Sequence, residues 1–167
     1  YGPNALGGAI NVVSRRPQAP LEGSLSAFAG SGDLHGFDAR LGGVRGAWYA
    51  QAYAGYEERD TYPLSSDFRP VATENGGDRE NARRRDEKGT FKLGFAPKAG
   101  DEYAVGVAIQ RGEKGNPPYA GTDPRQRARF WRWPQWDKTS LYYVSTTQLG
   151  GGYLKPRLYY DTFENTL

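Results

Sequence analysis

Between Ala47 and Glu58 the chain alternates apolar and polar positions with a period of two. Trp48, Ala50, Ala52, Ala54 and Tyr56 fall on one side of an extended segment, and Tyr49, Gln51, Tyr53, Gly55 and Glu57 on the other. At ~3.3 Å per residue the stripe from Trp48 to Tyr56 is about 26 Å long. The same alternation predicts further strands. Phe37, Ala39 and Leu41 oppose Asp38 and Arg40. Phe91, Leu93 and Phe95 oppose Thr90, Lys92 and Gly94. Tyr103, Val105, Val107 and Ile109 oppose Ala104, Gly106, Ala108 and Gln110. Leu154, Pro156, Leu158 and Tyr160 oppose Lys155, Arg157, Tyr159 and Asp161. A weaker strand runs from Leu21 to Gly30, with Leu25, Ala27 and Ala29 on one face. In the segment from Asp137 to Leu149 the two faces are ambiguous. Helical stripes at i, i+3, i+4 do not persist. Pro156 inside a strand argues against regular pairing, and a bulge there would accommodate it.

The connections predicted between these strands are unequal. They are short near Ser31 to Leu34, tight at Val44-Arg45-Gly46, long from Thr61 to about Asp86, and tight from Pro97 to Asp101. The next is long from Lys114 to about Trp136, and the last is tight at Gly150-Gly151-Gly152. Structureless loops longer than ~12–15 residues are uncommon in compact domains unless functional. Two of them on one side, with tight turns on the other, is the pattern of an outer-membrane barrel. Its apolar band carries an aromatic girdle at each border. A soluble β-sandwich also alternates, but its apolar faces need a second layer of large side chains. Here those faces hold many alanines and glycines beside a few aromatics.

Composition narrows the class. Aromatics make up 14% of the 167 residues, with 12 Tyr and 23 Gly, while hydrophobic residues reach only 37%. That excludes wholesale disorder, which comes with few aromatics. It suits strands with one wet face. Cys is absent, which rules out disulfides and thiolate metal sites.

Candidate chemistry concentrates in the long connections. The first, "TYPLSSDFRPVATENGGDRENARRRD", balances its charges and reads as a solvated loop. Its arginine-rich end is a weaker candidate for lipopolysaccharide phosphates. In the second, from Arg111 to Trp136, six cations face two carboxylates, a net +4 against +3 for the entire chain. Interleaved are Tyr119, Phe130, Trp131, Trp133 and Trp136. Guanidinium forks grip carboxylate or phosphate, and tryptophan faces stack on flat ligands and cations. Two readings follow: a site for an anionic, partly aromatic ligand such as a metal chelate, or an upper aromatic girdle with arginines anchored to anionic lipid. Tyr119, well inside the loop after Pro117-Pro118, is harder to assign to a girdle. Catalysis finds little support. His35, the one histidine, is expected in a short solvated turn. Glu57 and Glu58 point to opposite faces. "GSGDLHG" has the wrong glycine spacing for a dinucleotide loop, and no helix follows it. Nucleic acid is disfavoured because the basic residues cluster in one loop instead of lining a groove.

The opening "YGPNALGGAINVVSRRP" resembles the end of the plug domain of TonB-dependent outer-membrane receptors. The matching features are Tyr1-Gly2, Ala5, Gly7-Gly8, the strand Ile10-Asn11-Val12-Val13 and the basic exit Arg15-Arg16-Pro17. "FWRWPQWDKTSLYY" and "LKPRLYYDTFENTL" resemble barrel segments of the iron-chelate receptors in that family more loosely. The resemblance implies an all-β fold: a partial transmembrane antiparallel β-barrel of about seven meandering strands, preceded by the last strand of a plug. Residues 1–17 would end the plug, and 18–167 would begin a barrel of about twenty-two strands. Tyr1, Gly2, Gly7, Gly8 and Asn11 would be structural, and Pro17 and Pro20 would link plug to wall. The signal peptide, the TonB-contacting segment, most of the plug and the remaining strands would lie outside these residues.

The implied function is energy-coupled import of a ferric siderophore or similar scarce metal chelate across the outer membrane of a Gram-negative bacterium, with no enzymatic activity. Alternatives are a passive porin-like channel and, further off, a soluble β-sandwich binding module. Expected partners are outer-membrane lipid and lipopolysaccharide, the TonB complex through the missing N-terminal segment, and the small-molecule chelate. Nucleic acid is not expected. No resident cofactor, catalytic residue or metal ligand is expected, the iron chelate being cargo. Tyr119, Arg127, Arg129, Trp131 and Trp133 are the candidate ligand-binding residues.

Overall fold

A computed structural model of the chain describes residues 15–123 and 125–167. The expectations for Tyr1, Gly2, Gly7, Gly8 and Asn11 fall outside the described residues. What is described is all-β: one antiparallel sheet of nine strands, not closed on itself, and no helix. The strands are β1 (Glu22–Gly30), β2 (Leu34–Arg45), β3 (Trp48–Arg59), β4 (Arg84–Phe95), β5 (Glu102–Gly115), β6 (Arg132–Trp133), β7 (Gln135–Leu149), β8 (Gly152–Leu154) and β9 (Arg157–Thr166). Each pairs with its neighbour along the chain from β1 to β5. β6 and β7 then both lie against β5, and β8 and β9 both lie against β7. β1 and β9 are left as edges.

Turn chemistry explains the meander. Arg45 pairs with Trp48 across a two-residue loop whose first member, Gly46, has φ +60°. Glycine at that position gives the turn a twist that matches the flanking strands. Gly32, at φ +73°, closes the β1–β2 turn. A side chain there would meet the carbonyl oxygen of Thr61 at 2.0 Å, so the first connection and the start of the long β3–β4 connection can approach only through glycine. The connections at residues 46–47, 96–101 and 150–151 all lie at one end of the sheet. Those at 31–33, 60–83 and 116–131 lie at the other. Both long connections therefore share one end, as their spacing predicts.

The two prolines inside strands behave differently. Pro156 was the expected bulge, yet the register runs through it unbroken. Thr147 pairs with Leu154 and Val144 with Arg157, with two residues between on each side. Pro156 loses one donor, but its carbonyl still accepts from the Ser145 amide at 3.1 Å. The bulge lies at Pro134 instead. Lys114 pairs with Trp133 and Gln110 with Lys138, so residues 111–113 of β5 oppose 134–137, one residue more. The second long connection is accordingly shorter than expected. Arg111 and Lys114 belong to β5, Arg132 and Trp133 to β6, and Trp136 to β7. His35 likewise lies in β2, not in a turn; its Nδ1 is 2.9 Å from the Asp33 carbonyl oxygen.

Register collects the apolar stripes of separate strands onto one face. Leu41, Ala52, Phe91, Val107, Leu141 and Tyr160 form a single row across β2 to β9, and Gly43, Ala50, Leu93, Val105, Tyr143 and Leu158 form the next. This resolves the ambiguous strand: Leu141 and Tyr143 are its apolar side. Among the described residues no second layer covers this face, and Leu41, Leu141 and Tyr160 are 58%, 58% and 69% exposed. With β1, whose Leu25 pairs with Ala39 and continues this face, six inter-strand gaps of ~4.8 Å by about 26 Å give a projected patch on the order of 700 Å². That is larger than the patches soluble monomers usually show, roughly 300–600 Å². Aromatic pairs border it at each end: Trp48 with Phe95, centroids 4.7 Å apart, and Phe37 stacked on Tyr56 at 6.2 Å.

The opposite face is polar and closely packed. Tyr49 is 2% exposed because its ring lies across Gly94, where a Cβ would come within 2.1 Å of it, and Tyr142 lies over Gly106 in the same way. The Tyr49 hydroxyl donates to Glu102, which also meets Arg16 at 3.0 Å and Lys92 at 3.6 Å. Tyr53 donates to Asp38, Gln110 to Asp86 at 3.2 Å, and Lys138 meets Asp161 at 3.7 Å. The segment entering the sheet crosses this face, with Pro17 against Gly42 and the Val44 amide donating to the Ala19 carbonyl at 3.0 Å.

Candidate ligand-binding surface

The Pro134 bulge decides where the tryptophans point. In a regular strand Trp133 and Trp136, three residues apart, would face opposite sides. The extra residue brings both to the polar face, where Lys114 also lies by its pairing with Trp133 and Arg84. The Lys114 ammonium sits 3.5 Å from the centre of the Trp136 ring and 5.0 Å from that of Trp133. The rings form an edge-to-face row: Trp131 to Trp133 at 6.3 Å and 88°, Trp133 to Trp136 at 6.0 Å and 89°, and Trp136 to Phe163 of β9 at 5.0 Å and 79°. Arg129 lies over Trp131 at 5.0 Å. These rings are on the side away from the exposed apolar face, so they do not build an upper girdle on it.

The two long connections are stitched into one unit beside this row. The Asn81 side-chain amide donates to the carbonyls of Asn116 at 2.9 Å and Trp131 at 2.8 Å, and the Asn116 amide donates to the Trp131 carbonyl at 2.9 Å. Thr73 donates to the Tyr119 carbonyl at 2.8 Å, and Arg79 to that of Pro118 at 2.9 Å. Glu74 is buried, 2.7 Å from Arg79, and its other oxygen accepts from the Glu80 amide at 3.0 Å. The first long connection is thus anchored and not simply a solvated loop. Its arginine run is already paired: Arg83 with Glu58 at 2.6 Å and Asp60 at 3.3 Å, Arg84 with Asp86, and Arg85 with Glu87. Each phosphate contact expected of these groups would compete with a carboxylate in place.

Of the five candidate residues, the structure brings Arg129, Trp131 and Trp133 together. Tyr119 stands apart. Its hydroxyl accepts from the Asp123 amide at 3.3 Å and its carbonyl is held by Thr73, which makes it a loop staple. Asp123 in turn receives the Arg125 backbone and side chain, which hold its carboxyl below the usual range. Arg127 is exposed and makes no ion pair or hydrogen bond among the described residues. Lys114, Trp136 and Phe163 belong to the row but were not assigned from sequence. The signal was Pro134 between two tryptophans in a strand. The larger clefts lie elsewhere. One of about 620 Å³ is lined by Thr61, Asn75, Arg79, Asn81 and Arg132, and one of about 560 Å³ by Pro17, Arg40, Gln51 and Tyr53. The row is instead an open surface on which Trp133 and Trp136 are half-buried and Trp131 and Phe163 exposed. Among the described residues no cluster of three or more His, Cys, Asp or Glu could hold a metal ion. Comparison with protein-family models, curated proteins and solved structures finds no match.

Proposed function

We propose that the chain is the beginning of the barrel wall of an outer-membrane receptor of TonB-dependent type, which imports a ferric siderophore or a similar metal chelate. The observation that carries this reading is the two-sidedness of the sheet. A continuous, uncovered apolar face is bordered by aromatic pairs. The opposite face is polar, and at the end that holds both long connections it presents tryptophans and cations. Lipid would cover the first face, and the second would line the lumen, with the stitched connections above the membrane as a capture surface. The resemblance of the opening segment to a plug ending supports energy coupling over a passive channel.

The test is growth of a receptor-deleted host on single iron sources with the complete gene restored, in the presence and absence of TonB. The expected result is rescue on at least one ferric chelate, lost without TonB. Rescue that persists without TonB would point to a passive channel, and no rescue on any chelate would overturn the importer reading.

A further inference from the structure

Asn75 is the one asparagine of the chain that is followed by glycine, and the fold leaves the reacting groups of that pair open. An asparagine side chain can be attacked by the backbone nitrogen of the next residue, which closes a five-membered succinimide ring. The attack needs a nitrogen that is free to lose its proton and to reach the side-chain carbonyl carbon. Gly76 supplies one. It carries no Cβ, turns the chain at φ +93°, and its amide makes no hydrogen bond among the described residues. The carbon under attack is prepared as well. The Asn75 side-chain oxygen accepts from the Gly77 amide at 2.8 Å, a donor placed where charge builds up as the nitrogen adds. The leaving nitrogen, Nδ2, is held by Glu80 at 3.5 Å, the limit of a hydrogen bond, and the residue is exposed. Other asparagines among the described residues are barred by their surroundings. Asn116 precedes Pro117, whose nitrogen has no proton to lose. The Asn81 amide is tied to the carbonyls of Asn116 and Trp131, and Ala82 after it is buried. Asn165 lies in β9 before the branched Thr166.

We infer that Asn75 is a site of spontaneous deamidation whose product unclasps the two long connections. The Gly76 nitrogen bonds to Cγ of Asn75, the Cγ–Nδ2 bond breaks, and Nδ2 leaves as ammonia with the proton that Gly76 gave up. Water then opens the succinimide. Addition at Cγ leaves aspartate. Addition at the backbone carbonyl leaves isoaspartate, in which the chain runs through Cγ and is one methylene longer. Either product sets a new carboxylate against Glu80, where an amide had donated. Isoaspartate also lengthens the chain between Glu74 and Arg79. That pair, 2.7 Å apart, holds the Pro118 carbonyl through Arg79 at 2.9 Å, and Thr73 on the other side of Asn75 holds the Tyr119 carbonyl at 2.8 Å. The clasp on the second connection thus straddles the reacting residue. The reaction needs water alone, so the site is independent of the importer reading.

The test ages the complete protein, reconstituted in bilayers, in mildly alkaline buffer. Residue 75 is followed by peptide mass and by isoaspartate-specific methylation, with a synthetic peptide of residues 71–80 aged beside it. The rate in the folded protein is expected to lie within about threefold of the peptide's, and modification at 75 should precede any at Asn81 or Asn165. Aged protein should be cleaved several-fold faster within residues 116–131 under native limited proteolysis. Asn75→Gln, which cannot close a five-membered ring, should stay unmodified and keep its cleavage rate on ageing. A folded rate below about one-tenth of the peptide's, about 1.4 kcal/mol of added barrier, would show that the fold protects the pair and would overturn the site. Modification with cleavage unchanged would overturn the unclasping. Cleavage that quickens on ageing in Asn75→Gln as well would overturn it too, since the loosening would then have another cause.

Discussion

Asn81 holds a left-handed backbone, φ +53°, while its side-chain amide bridges the carbonyls of Asn116 and Trp131. Both properties depend on asparagine, which tolerates that conformation and carries a two-proton donor. Asn81→Gly keeps the backbone and removes the bridge; Asn81→Ala removes the bridge and adds strain. Both hydrogen bonds are exposed to solvent, so each contributes about 0.5–1.5 kcal/mol. Both variants should therefore cleave faster within residues 116–131 under native limited proteolysis, the alanine variant fastest. Unchanged cleavage in both would show that the stitch does not hold the second connection. Trp131, Trp133 and Arg129 were legible from composition, because tryptophan and arginine crowd one stretch of the chain. Lys114 and Trp136 were not assigned. Their meeting depends on one added residue at Pro134, and period-two counting across a bulge inverts every assignment beyond it. Tyr119 stands apart from the tryptophan row and is 41% exposed. Its carbonyl and hydroxyl are held by Thr73 and the Asp123 amide, contacts that its place in the sequence does not announce.

Strands β2 to β5 were read almost completely, since each alternates cleanly and a half-buried strand leaves that trace in sequence. β7 stayed ambiguous because its two sides, Leu141 and Tyr143 against Tyr142 and Val144, are both apolar enough; pairing with Val105 and Val107 decides between them. Pro156 and Pro134 show the limit of proline as a signal. One sits in register opposite Ser145, and the other accompanies an inserted residue, and only the partner strand distinguishes them. Face assignment makes a direct prediction. Ala54 is in mid-strand on the apolar face, and Ser140 is on the polar face opposite Asp161. In the complete protein refolded into bilayers, Ala54→Arg should lose about 2–4 kcal/mol of folding free energy, as expected for a cation at the bilayer midplane. Ser140→Arg, beside a carboxylate on the polar face, should lose less than about 1 kcal/mol. Urea titration of both variants measures this. Equal losses would mean that the two faces do not meet different media.

Taken together, the described residues make a sheet with almost no core. Tyr49, Ala82 and Ala104 are the buried hydrophobic residues, while Leu25, Trp48, Phe91, Leu141 and Tyr160 stand exposed. A sheet of this kind, with open edges at β1 and β9, is not expected to remain monomeric in water. Its apolar side requires a covering medium, which under the proposed function is lipid. The most direct test uses the absence of cysteine in this chain to place single spin labels at successive positions of β4: Thr90, Phe91, Lys92 and Leu93, each changed to Cys in the complete protein reconstituted in lipid bilayers. Accessibility to oxygen, which partitions into lipid, and to a water-soluble nickel chelate is then read at each site. Lipid on the apolar face predicts strict alternation, with labels at 91 and 93 reached by oxygen and shielded from nickel, and labels at 90 and 92 the reverse. Labels at 91 and 93 that are open to nickel, or shielded from both reagents as under a second protein layer, would contradict it.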